Sequence, residues 1–280
     1  MLNWLLILFV SLLSFAANSS QALVKFPDVK KNVPYPKVAA LAFSAADEKI
    51  AYGANEEQYA LLWRAKKTQN NQQSPLVILI HGGCWLSAYD IKHSYALSTG
   101  LAQAGFNVWS LEYRRSGVTG GGWPVTFDDV KAGILASSNY NNGEYKLANS
   151  VLVGHSAGGH LALLAGGEIS QLKGVIGLAA ITDIESYAKG ENSCQKVTKD
   201  FMQGMPEDKP IEYIKANPSK QPLHANSVLL QGDADTIVPA FELEKLNRTV
   251  VLLDGVGHFD WIHPGSMAFS TLIKNLHGIN

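Results

Sequence analysis

Near the middle of the chain the sequence reads Val151-Leu152-Val153-Gly154-His155-Ser156-Ala157-Gly158-Gly159-His160. A short β-branched run leads into a glycine-rich turn, and a helix-like stretch follows it. Gly154 and Gly158 allow a tight turn, because a side chain at either position would collide with neighbouring backbone. Ser156 between them is pushed outward in a strained conformation, and this context predicts a nucleophile at the end of a strand.

Outward from this turn, the chain alternates strand-sized apolar runs with amphipathic stretches. The apolar runs lie at residues 76–80, 106–111, 151–153, 174–178, 228–230 and 250–253. The amphipathic stretches lie at residues 95–104, 125–136, 158–165, 241–246 and 267–276. This alternation predicts an α/β fold, a doubly wound and mostly parallel β-sheet with helices on both faces.

Three segments fall outside the alternation. Residues 59–64 are predicted to form an antiparallel edge strand, and residues 23–58 an extended lead-in whose prolines discourage regular structure. The polar, proline-containing residues 187–226 are interpreted as a small cap inserted between two strands, with an ordinary surface excursion as the alternative. Residues 23–280 are thus expected to form a single domain.

A second glycine-containing turn follows the strand predicted at 76–80. It reads His81-Gly82-Gly83-Cys84-Trp85. Residues without side chains allow backbone N–H groups to face an oxyanion that develops during acyl transfer. The N–H group of Ala157, directly after Ser156, is the expected partner of these amides.

The partners of a serine nucleophile are expected later in the chain, in the order acid and then histidine. Two carboxylates, Asp233 and Asp235, follow the apolar run at 228–230. His258 follows the last apolar run and is the candidate general base. The residues alone do not decide which of the two carboxylates is the acid.

The composition narrows the class of ligand. A net charge of −1 and the lack of any Lys/Arg-rich run argue against nucleic acid and against a polybasic membrane contact. The spacings typical of zinc sites do not occur, so neither a metal nor another cofactor is expected. A small, neutral or weakly charged substrate is expected, in a pocket walled by Trp85, Trp123, Trp261 and the predicted cap.

The first 22 residues resemble a secretory signal peptide. An apolar run from Trp4 to Ala17 precedes a small polar stretch that ends at Ala22. This predicts export to the periplasm or the medium, with no stable membrane contact after cleavage. Because no Lys or Arg precedes the run, an uncleaved membrane anchor is the alternative. An oxidising compartment would permit Cys84 and Cys194 to pair, and the sequence leaves open whether they do.

Across residues 50–276, these motifs resemble the α/β-hydrolase superfamily. The combination of His-Gly-Gly-x-Trp with Gly-His-Ser-Ala-Gly-Gly-His is similar to the branch that holds kynurenine formamidases and BD-FAE-like esterases, which are related to feruloyl and acetylxylan esterases. The resemblance implies a triad of Ser156 as nucleophile, Asp235 as acid and His258 as base. It also implies an oxyanion hole formed by the amides of Gly83, Cys84 and Ala157.

The sequence therefore predicts a secreted serine hydrolase that cleaves a small carboxylic ester through an acyl-enzyme. An arylformamidase that hydrolyses an amide is the alternative within hydrolases. Export favours the ester, because the kynurenine formamidases of this branch are usually cytosolic. The alternative from another class is a catalytically inactive binding module on the same fold. The presence of all three triad candidates favours the enzyme.

Overall fold

The computed structural model of the protein describes residues 23–66, 74–117 and 120–279. The predicted signal peptide, residues 1–22, lies outside the described residues. Within the described ranges, no helix has the length and apolar character that crossing a membrane requires.

A twisted sheet of eight strands forms the centre of the described structure. The strands are β1 (Glu48–Ala51), β2 (Tyr59–Trp63), β3 (Leu76–Ile80), β4 (Asn107–Leu111), β5 (Ser150–His155), β6 (Gly174–Leu178), β7 (Ser227–Gly232) and β8 (Thr249–Leu253). Their order in the sheet is β1-β2-β4-β3-β5-β6-β7-β8. The first two strands run antiparallel to their neighbours, and all other pairs are parallel. The predicted mostly parallel sheet is confirmed.

The helices cover both faces of this sheet. They are α1 (Tyr35–Ala39), α2 (Tyr95–Gln103), α3 (Val125–Asn139), α4 (Ala157–Glu168), α5 (Ile184–Tyr187), α6 (Ser193–Lys196), α7 (Thr198–Met202), α8 (Pro210–Lys215) and α9 (Met267–Gly278). Side chains of α3 and α4 pack into one hydrophobic cluster, and those of α2 and α9 pack into a second cluster on the opposite face. The central strands β3 and β5 are buried along their whole length, as expected of strands covered on both sides.

The edge of the sheet differs from the prediction. Residues 59–64 were expected to form the edge strand, but β1 pairs with the outer side of β2 and takes that place. α1 and β1 both lie within residues 23–58, which were expected to form an extended lead-in. Pro34 and Pro36 do not prevent α1, because proline is tolerated in the first turn of a helix. β1 was missed for another reason. Its sequence, Glu-Lys-Ile-Ala, offers only the partly buried Ile50 to a core, so it lacks the alternation by which strands are predicted. Polar residues of this kind are common on edge strands.

Residues 179–226, hereafter the insertion, connect β6 to β7 and carry the short helices α5 to α8. Three of these helices, α6, α7 and α8, lie within residues 187–226, the segment interpreted as a cap. Asn192 begins α6 with a capping box, in which its side chain accepts from the Gln195 amide and the Gln195 side chain bonds back. Side chains thus cap the N-termini of α5 and α6, whereas α7 and α8 have no side-chain cap.

Candidate active site

Ser156 occupies the sharp turn between β5 and α4. Its backbone angles are φ 56° and ψ −121°, a conformation that a residue with a side chain rarely adopts. A Cβ atom at Gly154 would lie 2.2 Å from the carbonyl oxygen of Gly158, and one at Gly158 would lie 2.3 Å from that of Ile80. Both glycines are therefore required by close packing, as the sequence predicted, and they leave Ser156 in a strained turn at the end of the sheet.

Asp235 and His258 form a buried hydrogen-bonded pair. The distance from Asp235 Oδ2 to His258 Nδ1 is 2.7 Å. Asp235 Oδ1 also accepts from the amides of Ile237 and Val238, at 2.8 and 2.9 Å. Burial raises the pKa of Asp235, but the His258 imidazole and the two amides outweigh it, so the pKa is lowered overall. The ionised carboxylate accepts from Nδ1–H, and this leaves the lone pair of the neutral ring on Nε2.

The second carboxylate of this loop has another partner. Asp233 is exposed, and its Oδ1 accepts from the amide of Gly255 at 2.6 Å. This bond fixes the turn after β8 against the turn after β7. The structure thus brings Asp235 to the histidine and leaves Asp233 in a turn-stabilising position.

The glycine loop, residues 82–85, lies against the turn that carries Ser156. A Cβ atom at Gly82 would lie 2.9 Å from the carbonyl oxygen of His155. The next three residues, Gly83, Cys84 and Trp85, all have positive φ, at 114°, 53° and 58°. Ala157 begins α4, and an amide in the first turn of a helix has no carbonyl partner within that helix. The amides predicted for the oxyanion hole thus flank the serine from two elements.

His81 anchors the start of the glycine loop. Its Nε2 lies 3.1 Å from Glu112 Oε1, its carbonyl accepts from Tyr113 Oη at 2.7 Å, and the Tyr113 ring stacks on its imidazole. Burial raises the pKa of Glu112, but His81 and Arg115 lower it further, so the carboxylate is favoured. These contacts fix the position of His81 at the end of β3.

Two buried histidines, His155 and His93, form a chain of hydrogen bonds that ends at the backbone of His258. His155 Nε2 lies 3.0 Å from the backbone oxygen of His258, and His93 Nε2 lies 3.2 Å from His155 Nδ1. The carbonyl can only accept, so His155 donates from Nε2 and accepts at Nδ1 from His93. Burial and the neighbouring His258 lower the pKa of His155 to about 3, so its ring is neutral. No local sequence signal indicates a role for His93, because 62 residues separate it from His155.

A cavity of about 140 Å³ opens beside Ser156 and His258. Gly83, Cys84 and Cys194 contribute to its wall, and its other side chains are Tyr35, Tyr89, His93, Ser193, Ile237 and Phe259. This volume is below the roughly 300–1,000 Å³ of sites for drug-sized ligands. Tyr35 belongs to α1, and Ser193 and Cys194 belong to the insertion, so the wall is assembled from segments far apart in the sequence.

The three tryptophans predicted to bind the substrate do not line this cavity. Trp85 and Trp261 are fully buried in the core, and Trp85 stacks on Phe201 with ring centroids 4.6 Å apart. Trp123 stacks on Phe127 and lines a different cavity, of about 360 Å³. Large aromatic side chains stabilise a core strongly when they are buried, and position next to a motif does not show which way they point.

The two cysteines form a disulfide. The Cα atoms of Cys84 and Cys194 are 5.4 Å apart, within the usual range for such a bond. The alternative of two separate thiols, which the sequence left open, does not hold in this structure. The bond joins the glycine loop to α6 of the insertion at the wall of the cavity.

Solved structures of other proteins share this fold. Esterase B from Lactobacillus Rhamnosis (HN001) is 17% identical with a TM-score of 0.69, over 85% of this chain and 87% of that chain. A truncated carbohydrate esterase from gut microbiota is 19% identical with a TM-score of 0.67, over 84% of this chain and 96% of that one. At such low identity these likenesses establish the fold.

Sequence comparison gives the family. Esterase LipC from Mycobacterium tuberculosis (strain ATCC 25618 / H37Rv) is 31% identical over 119 residues, which are 42% of this chain. The chain matches only 29% of the length of that relative. The BD-FAE family model matches residues 64–250, roughly two thirds of the chain, and this range contains Ser156 and Asp235. The protein has the α/β-hydrolase fold and belongs to the BD-FAE family.

Proposed function

We propose that this protein is a serine hydrolase that cleaves small carboxylic esters. One observation carries the proposal. Ser156, in its strained turn, and His258, which is paired with the buried Asp235, line the same small cavity next to the glycine loop. The names of the relatives, esterase LipC, esterase B and a carbohydrate esterase, support an ester as the substrate.

In the first step, Nε2 of His258 accepts the hydroxyl proton of Ser156 while Oγ attacks the ester carbonyl. Asp235 holds the imidazole in the required tautomer and stabilises the imidazolium. The amides of Gly83, Cys84 and Ala157 donate to the oxyanion. The imidazolium then gives its proton to the departing alcohol, and the acyl group remains on Ser156.

In the second step, a water molecule replaces the alcohol. His258 removes a proton from the water as its oxygen attacks the acyl carbonyl, and the same amides stabilise the second oxyanion. The bond to Ser156 Oγ breaks, Oγ recovers its proton from His258, and the carboxylic acid leaves. Every group in this scheme is a residue of the chain, and no cofactor takes part.

The size of the cavity supports a small acyl group. Its volume of about 140 Å³ and the rings of Tyr35, Tyr89 and Phe259 leave little room for a long chain. We therefore expect acetyl esters to be hydrolysed with a higher kcat/KM than octanoyl esters.

The test compares wild type with Ser156→Ala on p-nitrophenyl acetate, p-nitrophenyl octanoate and N-formylkynurenine. We expect the acetate to be the best substrate and Ser156→Ala to lose about 10⁴-fold or more in kcat. Ser138→Ala removes an exposed hydroxyl on α3 and serves as the control with unchanged activity. Full activity of folded Ser156→Ala would reject the proposal, and faster turnover of N-formylkynurenine would assign the protein as an arylformamidase.

We also propose that the protein is exported. The signal-like residues 1–22 and a disulfide between Cys84 and Cys194 both favour an oxidising compartment outside the cytoplasm. N-terminal sequencing of the protein from the extracytoplasmic fraction should give a chain that begins near Leu23. A chain that retains Met1 in the membrane fraction would instead indicate an uncleaved anchor.

A further inference from the structure

The glycine loop adopts a conformation that local sequence does not favour. Cys84 and Trp85 have φ of 53° and 58°, directly after Gly83 at 114°. A residue with a side chain is strained in this region, and the conformation persists only where surrounding structure holds it. Cys84 and Trp85 therefore need external contacts to keep the loop beside Ser156.

The insertion provides contacts of this kind at two consecutive residues. Cys84 is bonded to Cys194 of α6, 110 residues away in the sequence. Trp85 stacks on Phe201 of α7, with ring centroids 4.6 Å apart and an angle of 8° between the rings. The side chain of each strained residue is thus fixed to a neighbouring helix of the insertion.

The same part of the insertion also contacts the loop that carries the acid. Asn192, next to α6, donates from Nδ2 to the carbonyl oxygen of Ile237 at 3.0 Å, and Tyr187 Oη donates to the same oxygen at 3.0 Å. Ile237 lies two residues after Asp235, whose Oδ1 its amide binds. The segment 187–194 therefore connects the glycine loop to the aspartate loop.

We propose that the Cys84–Cys194 disulfide is a positioning element of the active site, which holds the amides of the glycine loop where the oxyanion forms. This inference rests on the proposed function. When a dithiol reduces the bond, two electrons and two protons convert the disulfide to two thiols, and the reagent becomes its own disulfide. The loop then relaxes from its positive-φ conformation, and stabilisation of the oxyanion weakens.

The predicted consequence is specific to the chemical step. Removing an oxyanion donor costs about a hundred- to a thousandfold in kcat, and we expect displaced donors to cost about tenfold or more. KM should change much less, because the ground-state ester makes weaker contacts with these amides. A bond that only stabilised the fold would leave kcat unchanged at temperatures well below unfolding.

The experiment measures kcat and KM for p-nitrophenyl acetate in four forms of the full chain. They are the oxidised wild type, the wild type reduced with a dithiol, the reoxidised wild type, and Cys84→Ser/Cys194→Ser. Cys84 is partly exposed at the cavity wall, and Cys194 is buried. Tyr213→Phe is the matched control, because it removes a hydrogen bond to Gly204 within the insertion and leaves the disulfide intact.

We expect kcat to fall on reduction, to recover on reoxidation, and to stay low in the double variant, while Tyr213→Phe keeps the wild-type value. Hydrogen exchange of residues 82–86 should become faster on reduction. A reduced protein whose kcat stays within about twofold of the oxidised value would overturn the inference.

If the oxidised protein neither hydrolyses esters nor reacts at Ser156 with a fluorophosphonate, the proposed function fails. In that case the hydrogen exchange of residues 82–86 tests the inference, and an exchange rate that does not change on reduction overturns it.

Discussion

At the scale of single residues, the backbone holds Ser156 in its strained turn, and the side chains around it determine its reactivity. The amide of Ser156 donates to the carbonyl of Leu178 at 2.8 Å, and its own carbonyl accepts from the His160 amide at 3.0 Å. These bonds tie the strained turn to β6 and to the first turn of α4. The conformation is therefore maintained by the backbone, and we expect replacement of the side chain to leave the turn intact.

The two neighbouring carboxylates give a matched pair of variants. Asp235→Asn keeps the shape of the side chain but removes the charge that orients His258, and kcat should fall by about 10⁴-fold. Asp233→Asn changes the exposed carboxylate that accepts from Gly255, and kcat should stay within about twofold of wild type. Steady-state kinetics on p-nitrophenyl acetate at neutral pH measures both.

The opposite ranking of these variants would assign the acid to Asp233 and contradict the observed pairing. Circular dichroism of each variant serves as the folding control.

Some of these residues could be predicted from the sequence and others could not. Ser156 and its glycines form a local motif, because the turn they make is only a few residues long. Asp235 and His258 each follow a strand in the order typical of the fold. His93 and Tyr35 have no such local signal, because their positions depend on contacts between distant segments. The tryptophans were misplaced for the same reason.

At the scale of elements, the helical turn Ala240–Lys245 contains an unusual carboxyl group. Glu242 is 2% exposed, and its Oε2 lies 3.4 Å from the amide of Thr182 at the start of the insertion. Burial raises the pKa of Glu242 from 4.5 to about 8, and the nearby charges of Asp183 and Asp235 add to the effect. The folded protein thus keeps this carboxyl protonated at neutral pH.

This group makes stability depend on pH. Below pH 4.5 the Glu242 carboxyl is protonated in both the folded and the unfolded state, and it then contributes its full share to the free energy of unfolding. As the pH rises toward about 8, the unfolded state loses its proton first, and the contribution falls by up to about 1.4 kcal/mol per pH unit. Glu242→Gln stays neutral in both states and should lack this decline.

Urea unfolding of wild type and Glu242→Gln between pH 5 and pH 8 checks this expectation. The free energy of unfolding of wild type should fall relative to that of the variant as pH rises. A constant difference between the two proteins over this range would show that Glu242 is already ionised in the folded state.

The accuracy of the predicted elements follows from how deeply each one is buried. β3, β5 and β6 are apolar runs buried throughout, and their predicted positions agree with the structure within two residues at each end. β1 was missed because one partly buried residue gives no periodic signal. The amphipathic segment predicted as a helix at 241–246 forms a 3₁₀ helix at Ala240–Lys245 and not an α-helix.

At the scale of the whole molecule, the disulfide closes a long loop of the chain. The bond between Cys84 and Cys194 encloses β4, β5 and β6 and joins the first half of the domain to the insertion. A crosslink over 110 residues restricts the unfolded chain strongly, and its loss should lower the free energy of unfolding by about 2–5 kcal/mol. Urea unfolding of Cys84→Ser/Cys194→Ser against the oxidised wild type measures this difference.

Reduced wild type should match the double variant in stability, and the dithiol should leave the variant unaffected. A difference of less than about 0.5 kcal/mol between oxidised wild type and variant would mean that the bond does not constrain the unfolded chain.

Covalent labelling reports directly whether Ser156 is an activated nucleophile. The folded wild-type protein is incubated with a fluorophosphonate, and the site of modification is mapped by peptide mass spectrometry. We predict one adduct per chain, on Ser156, and none in Asp235→Asn over the same short incubation, because the imidazole then lacks its orienting charge. Folded wild-type protein that stays unlabelled, or that carries its adduct on another residue, would contradict the assignment of Ser156 as the nucleophile.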